Sequence, residues 1–507
     1  MKSPSDNLHQ LIRSLNSNER RYFKNYLQRS SKITDTVSDT LFDAIYKQET
    51  YNEKALLKFF EGESLTNKFS ISKARLYELI LRSLNAQYAE SSVEASLKRE
   101  LHYVEILFRK ALYKQAEKIL KGVKKTALRY EKISTLVEVS NWEKRLLEYK
   151  GYSGNSEEDL KAIYTSDSFN TEQLATFNTF WNIKGRLFSH MNKAGKARTQ
   201  EELNELKTII DSGFGQQGKT LSVENSYIYH HTYSAYYFSI SDYQNSYQHL
   251  RANVELVENH IHLFSEEPNI YFSGLSNIIF VCSQLKKTEE SFVYLEKLRN
   301  VGKLFELENN DDLQVKLFST VNSIELSLYK TMSRYDDALK TVEVIENGLA
   351  RHENKLNKTR KAFFYFHMSA VYLANAKLHS ALKWCNELLN DKSIEENENI
   401  KCFAQILFLL IHIDLKNTDY LPLAASNLQT YLKNKKRVYE FERSLLEFSV
   451  VLSDNPAKDT LKHAYENLLQ KLEELVNNSF EKEPFEYFDF IRWLKAKISG
   501  LPFLMVE

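Results

Sequence analysis

The sequence predicts an all-α protein: an α-solenoid of antiparallel helix hairpins with a period of about 43 residues, preceded by a small helical N-terminal domain. Three observations carry that prediction. The 507 residues include only 13 Gly and 6 Pro, against a combined average near 12%, which leaves too few turn residues for a sheet protein or a loop-built enzyme. A hydrophobic content of 43% beside 27% charged residues describes a chain that can bury a core, unlike a disordered one. The period comes from a small residue that recurs at Ala116, Ser246, Ser291, Ala338, Ala381 and Ala424, and more weakly at Ala464. From Ser246 onward the intervals are 45, 47, 43, 43 and 40 residues, and the gap from Ala116 to Ser246 is 130, close to three periods. Two degenerate units are therefore expected near Leu160 and Leu203.

Residues 1–93 read as a helical domain without the repeat. Leu8, Leu11, Ile12 and Leu15 share one face of a first helix, and Ser17 is the expected cap of a second, which sets Arg20, Arg21 and Lys24 beside Tyr22, Phe23, Tyr26 and Leu27. Two more helices are expected around Leu41 to Tyr46 and Glu53 to Phe60. A longer one starts at Ser70 or Ser72, with Leu76, Leu79, Ile80 and Leu84 as its apolar face.

Residues 94–483 carry the hairpins. Each buries its apolar face on its neighbours, since no single hairpin can do so alone. The 30 Tyr and 30 Phe suit the broad gaps between crossing helices. Ser212 to Thr220, SGFGQQGKT, reads as a flexible loop; Phe305 to Asp312 and Ile394 to Asn399 read as acidic connections. Residues 484–507 open with Pro484, a favourable first helical residue, and form a capping helix with an apolar tail. That tail docks either on its own solenoid or on a second subunit.

The clearest hairpin is Phe363 to Asp391, with Ser369 and Tyr372 on one helix, Leu378 at the turn, and Ala381, Cys385 and Leu388 on the next. It resembles the tetratricopeptide repeat, whose pattern asks for a small residue at the eighth position, Tyr at the eleventh and Ala at the twentieth. The resemblance implies a right-handed stack whose first helices line a groove. The longer period, against 34 in the standard repeat, implies longer helices and leaves the groove geometry open. The stretch LHQLIRSLNSNERRYFKNYL, with KARLYELILRSL after it, is similar to the start of tetratricopeptide-like proteins of Bacteroidetes, which implies no activity.

Several function classes lack support. The three cysteines, Cys282, Cys385 and Cys402, have no second Cys at metal or redox spacing and read as buried thiols of a reducing compartment. The apolar run from Cys402 to Leu415 is too short for a bilayer span of roughly 20 residues, and residues 1–11 have no signal-peptide core. A cytoplasmic location is the expectation. His230 and His231 are adjacent and point about 100° apart on a helix; His249, His260 and His262 are no better spaced for a metal. No HExxH, GxSxG or Walker-type loop occurs. The expectation is a non-enzyme with no metal and no cofactor.

Two surfaces remain as candidates. Residues 1–150 hold 28 Lys and Arg against 19 Asp and Glu, whereas the rest of the chain holds 40 against 48. Within the basic portion, Lys114, Lys118, Lys121 and Lys125 recur along one helix face opposite Ile119, Leu120 and Val123. Such a stripe suits phosphates, an acidic partner or plain solvent. The second surface is the groove, whose contacts the tetratricopeptide resemblance assigns to positions two, five, six, nine, twelve and thirteen. Their polar members here are Lys98, Arg109, His231, Asn277, Lys330 and Lys416. Ser273 and Ser276 stand where a peptide-carboxylate clamp needs basic residues. The leading expectation is a scaffold that binds a protein or peptide in that groove. The alternatives are a regulator whose basic N-terminal portion binds nucleic acid, and a structural homo-oligomer held by Phe485 to Met505.

Overall fold

The structure is a computed structural model that describes residues 6–29, 33–62, 68–153, 156–194, 197, 200–213, 221–352, 355–391, 398–417, 419–434, 439–453, 457–476 and 483–506. It is all-α, with no strand among the described residues. The chain forms two compact units, Met1–Tyr236 with Asn259–Glu266, and Tyr237–Glu258 with Glu267–Glu507.

In the first unit, α1 (Asn7–Ser14), α2 (Ser17–Arg29), α3 (Ile33–Tyr46), α4 (Glu53–Phe59) and α5 (Phe69–Gln87) close around a core of their own that includes Ile12, Phe23, Phe42, Leu56 and Leu76. The cap of α2 is Asn16 rather than Ser17. Its side-chain oxygen accepts from the backbone of Asn18 and Glu19, and Glu19 returns a bond to the Asn16 amide at 2.6 Å, a reciprocal capping box. The fifth helix starts at Phe69, so Ser70 and Ser72 lie inside it. α6 (Val93–Arg109), α7 (Tyr113–Arg129) and α8 (Ile133–Tyr149) share a second core built on Leu101, Val104, Ala116, Leu120 and Val139.

The next stretch departs from the expected repeat. In place of two degenerate hairpins near Leu160 and Leu203, α9 (Glu157–Ala194) runs unbroken for 38 residues, and α10 (Gln200–Asp211) packs beside it. Nothing between Glu157 and Phe180 is Pro or Gly, so no residue forces a turn. The loop expected at Ser212 to Thr220 lies outside the described residues from 214 on, as do residues 392–397 of the second acidic connection. α11 (Val223–Ser239) follows.

The second unit holds α12 (Tyr243–Asn259), α13 (Pro268–Gln284), α14 (Thr288–Arg299), the short α15 (Val301–Leu304), α16 (Asp311–Thr331), α17 (Tyr335–His352), α18 (Lys358–Ala374), α19 (Leu378–Asn390), α20 (Glu398–Asp414), α21 (Leu421–Asn434), α22 (Glu440–Ser453), α23 (Lys458–Leu475), α24 (Glu483–Tyr487) and α25 (Phe490–Ser499). Helices adjacent in sequence pack as pairs, and the small residues explain how closely. Ser369 donates its hydroxyl to the Ala381 carbonyl at 2.8 Å, both residues being fully buried. A larger side chain at either position would push α18 and α19 apart.

Five of the described hairpin turns use the same device. Ala111, Ser241, Lys286, Ser333 and Ala376 lie five residues before Ala116, Ser246, Ser291, Ala338 and Ala381, with φ between 56° and 61°. The amide that follows each one bonds back to a carbonyl five residues earlier, as in Lys377 to Tyr372 at 2.9 Å. This is the left-handed helix stop that glycine usually makes. In these five turns it is made without glycine, whereas Gly151 after α8 and Gly500 after α25 make theirs with it.

Candidate functional site

The sequence-derived groove positions land in different surroundings. Lys98 and Arg109 are exposed on α6, each paired on its own helix, with Glu94 and with Glu105, both at 2.5 Å. Lys98, Arg99, His102 and Tyr103 line a cavity of about 820 Å³ with the end of α5. His231 is a packed residue. Its ring stacks on Phe188 of α9 at 5.3 Å and on Tyr227 at 5.6 Å. Burial, with the Lys184 charge as a smaller cause, lowers its pKa to about 4. Asn277 is exposed on α13, with Ser273 and Phe280 exposed on the same helix. Lys416 lies in the turn after α20 with φ 58°. The turn before Ala424 is three residues longer than the others, so counting back from Ala424 stops in the turn, two residues short of α20.

Lys330 sits at the end of α16 beneath the chain's own C-terminal segment. Its ammonium donates to His367 Nδ1 at 2.8 Å and to the Tyr487 carbonyl at 2.9 Å. Burial drives its pKa down to about 7. Burial, then the Lys330 charge, holds His367 well below its ordinary range, so the imidazole is the neutral acceptor. Above this pair, the Tyr487 ring packs on Phe403 of α20 at 4.0 Å and on Phe366 of α18 at 5.6 Å.

The rest of residues 483–506 extends the same docking. Phe485 and Phe490 both meet Phe441 of α22. Trp493 is buried, and its indole reaches the Asp414 carboxylate at 3.3 Å, where Lys497 also pairs at 2.7 Å. Burial raises the Asp414 pKa, and Lys497 and Trp493 oppose that shift. Arg492 donates to the carbonyls of Phe503 and Leu504 and closes the tail on itself. Phe488, Phe490, Trp493, Leu494 and Phe503 all belong to the core of the second unit. The tail therefore docks on its own unit: it reaches the first helices of four successive hairpins, α16, α18, α20 and α22, while α25 packs on α23 and Phe503 meets Tyr335 of α17.

The basic stripe is on the outer face of α7. Ala116, Leu120, Val123 and Ala127 are buried on the opposite side. Lys121 pairs with Glu117 at 3.2 Å and Glu117 also takes Lys150 at 2.6 Å. Lys114, Lys118 and Lys125 are exposed and hold no ion pair among the described residues. Much of the remaining N-terminal charge is used internally: Lys24 meets Asp39 and Asp43, Lys73 meets Glu53, Arg82 meets Glu78, and Arg20 lies over the Tyr46 ring.

Among the described residues, no cluster of His, Cys, Asp and Glu is arranged to hold a metal, and no helix is long and apolar enough to cross a membrane. All three cysteines are buried, and burial pushes the Cys282 and Cys385 thiols up to about 11 and about 12. They are poor nucleophiles. No protein-family model matches the chain, and no curated protein matches it.

The arrangement offers surfaces. Sequence reasoning singled out the C-terminal segment from Pro484 with its aromatic residues, and also Lys330, which bonds the Tyr487 carbonyl, but His367 behind Lys330 and Asp414 beneath Trp493 carry no local signal. Each sits in an apolar helical run and acquires its role only through a remote residue, Lys330 37 positions before His367 and Trp493 79 positions after Asp414.

Proposed function

We propose that the protein is a non-enzymatic scaffold that binds a protein or peptide along the first helices of its hairpins. One observation carries this reading. Those helices in the second unit already hold a segment of polypeptide, residues 483–506, through aromatic insertion, a lysine-to-carbonyl bond and a buried carboxylate. A surface that receives an internal segment has the chemistry to receive an external one. On α13 the corresponding face is open, with Ser273, Asn277 and Phe280 exposed, and Phe280 is 48% accessible.

The test is capture from native lysate with the full-length protein, with and without nuclease. Asn277→Arg and Phe280→Glu should each reduce recovery of a specific protein with unchanged helicity by circular dichroism. Recovery indifferent to both substitutions would sink the α13 assignment.

A second reading rests on Lys114, Lys118 and Lys125, exposed and unpaired along α7. Here the basic portion binds nucleic acid while the hairpins sense a protein or peptide. Binding through these residues should fall steeply with salt and weaken when the three become Glu. A salt-independent signal, or one the triple variant retains, would eliminate this reading.

A further inference from the structure

The outer face of α9 carries a row of large side chains in contact with solvent. Leu160, Tyr164, Leu174, Trp181, Gly185 and Phe188 fall, together with the polar Asp167, Thr171 and Asn178, on one line of alternating four- and three-residue steps, the spacing of a two-helix seam. Phe188, which also stacks on His231, presents its remaining face there. Tyr164 is 72% accessible and Trp181 60%, while Phe180, Ile183 and Leu187 on the opposite side are buried. At 1.5 Å per residue the line is about 40 Å long, with its apolar members grouped toward its two ends and its middle at Leu174.

We propose that this face joins two copies of the chain, with their α9 helices antiparallel about a twofold axis near Leu174. Three features of the helix are self-complementary about that point. Tyr164 and Gly185 are equidistant from the midpoint between residues 174 and 175, and one is a knob where the other is a hole. A Cβ added at Gly185 would meet nothing within 4 Å. Gly185 also lines an open cavity of about 580 Å³ with Trp181, Arg186 and His190, closed on one side by Ile209 of α10. The antiparallel pairing seats each Tyr164 in that cavity and brings Leu160 beside Phe188. An isologous contact of this kind needs such matching at symmetric distances.

The charges reverse about the same midpoint. Residues 157–175 carry five acids, Glu157, Glu158, Asp159, Asp167 and Glu172, against Lys161. Residues 176–194 carry Lys184, Arg186 and Lys193 and no acid; Lys184 is half-buried beside His231, and Arg186 is exposed. Antiparallel helices set acid against base along their length, whereas parallel ones would set like against like. Asp167 is already engaged by Lys144 of α8 at 2.5 Å, so the terminal acids supply the attraction. This contact differs from the homo-oligomer expected at Phe485 to Met505, since that end is packed within its own unit. It is also independent of the groove reading.

The experiment is light scattering with sedimentation equilibrium on the full chain, from about 1 to about 100 µM. A dimer is expected. Trp181→Glu should leave a folded monomer, with folding read by circular dichroism. Glu157→Lys with Glu158→Lys should weaken association by about tenfold or more, and adding Arg186→Glu in the same chain should restore it. Leu174→Cys should cross-link two copies under mild oxidation, since that residue lies at the axis. Tyr164→Cys should cross-link only when mixed with Gly185→Cys. A monomer throughout the range overturns the proposal, as does a dimer that Trp181→Glu leaves intact or that the charge swap does not restore.

Discussion

Replacing Lys330 by Met should remove a specific pH dependence from the stability of the second unit. In the folded chain the ammonium lies against His367 Nδ1 and the Tyr487 carbonyl, and burial lowers its pKa from 10.5 to about 7. A base whose folded pKa is lowered binds fewer protons folded than unfolded throughout that window. Stability therefore rises with pH between about 7 and 10.5, and the cost of charging the buried amine is complete below 7. At 1.36 kcal/mol per unit the full penalty is roughly 5 kcal/mol, with a mid-window slope a little over 1 kcal/mol per pH unit. His367 is already neutral across the window and adds no slope. Denaturant unfolding at pH 7.5 and 9.0, below the range where tyrosines titrate, isolates the effect as a difference between variants. Wild type should gain roughly 2 kcal/mol on Lys330→Met between those two values. Parallel pH profiles would refute a buried, unneutralised amine at this position, whatever the sign of the stability difference at either pH alone.

Other perturbations test other parts of the fold. Gly348→Ala in α17 should cost about 1–3 kcal/mol by overpacking, because the new methyl would overlap the Phe318 ring, itself hemmed in by His352 and Phe364. Gly122→Ala, where the methyl meets nothing, should instead stabilise by up to about 1 kcal/mol; thermal melts that moved the two variants the same way would contradict the packing. His231 titrates near 4 in the fold against 6.5 ordinarily, so its neutral form stabilises above pH 6.5 and charging it costs up to roughly 3 kcal/mol by pH 4. His231→Phe should lose that acid dependence, and an unchanged slope in acid unfolding would show that the ring is not buried. Ala376→Gly at φ 56° should raise stability by about 0.5–1 kcal/mol, and a loss would mean that the left-handed turn is not strained.

The fold class was legible because it depends on composition and on a spacing that packing enforces. Ala381 recurs as a small residue because Ser369 bonds its carbonyl across a fully closed contact, and the same closeness selects Ala116, Ser246, Ser291 and Ala338, all fully buried. Local signals failed where this chain solves a common problem in an uncommon way. Its turns place Ala, Ser and Lys in the left-handed region, at about 1–2 kcal/mol each, so the scarcity of glycine that announced an all-helical protein also erased the marks that would have placed each turn. Lys416 was assigned to a helix face for that reason, although it is the turn residue. In α9 the two units were expected only because the gap from Ala116 to Ser246 is close to three periods, yet Glu157 to Phe180 contains no Gly or Pro that would force the turn they require.

The candidate sites were legible only where a property is local. The α7 lysines share a face because helical spacing alone decides it, and they are exposed as that spacing predicts. Lys330 and His231 occupy groove positions by the same spacing, but their surroundings are supplied by remote segments, Tyr487 over one and Phe188 beside the other. A groove position defines which way a residue points, and the rest of the chain decides what it meets. The open positions on α13 and the uncovered face of α9 are therefore the places where a partner can act without first displacing part of the protein's own core.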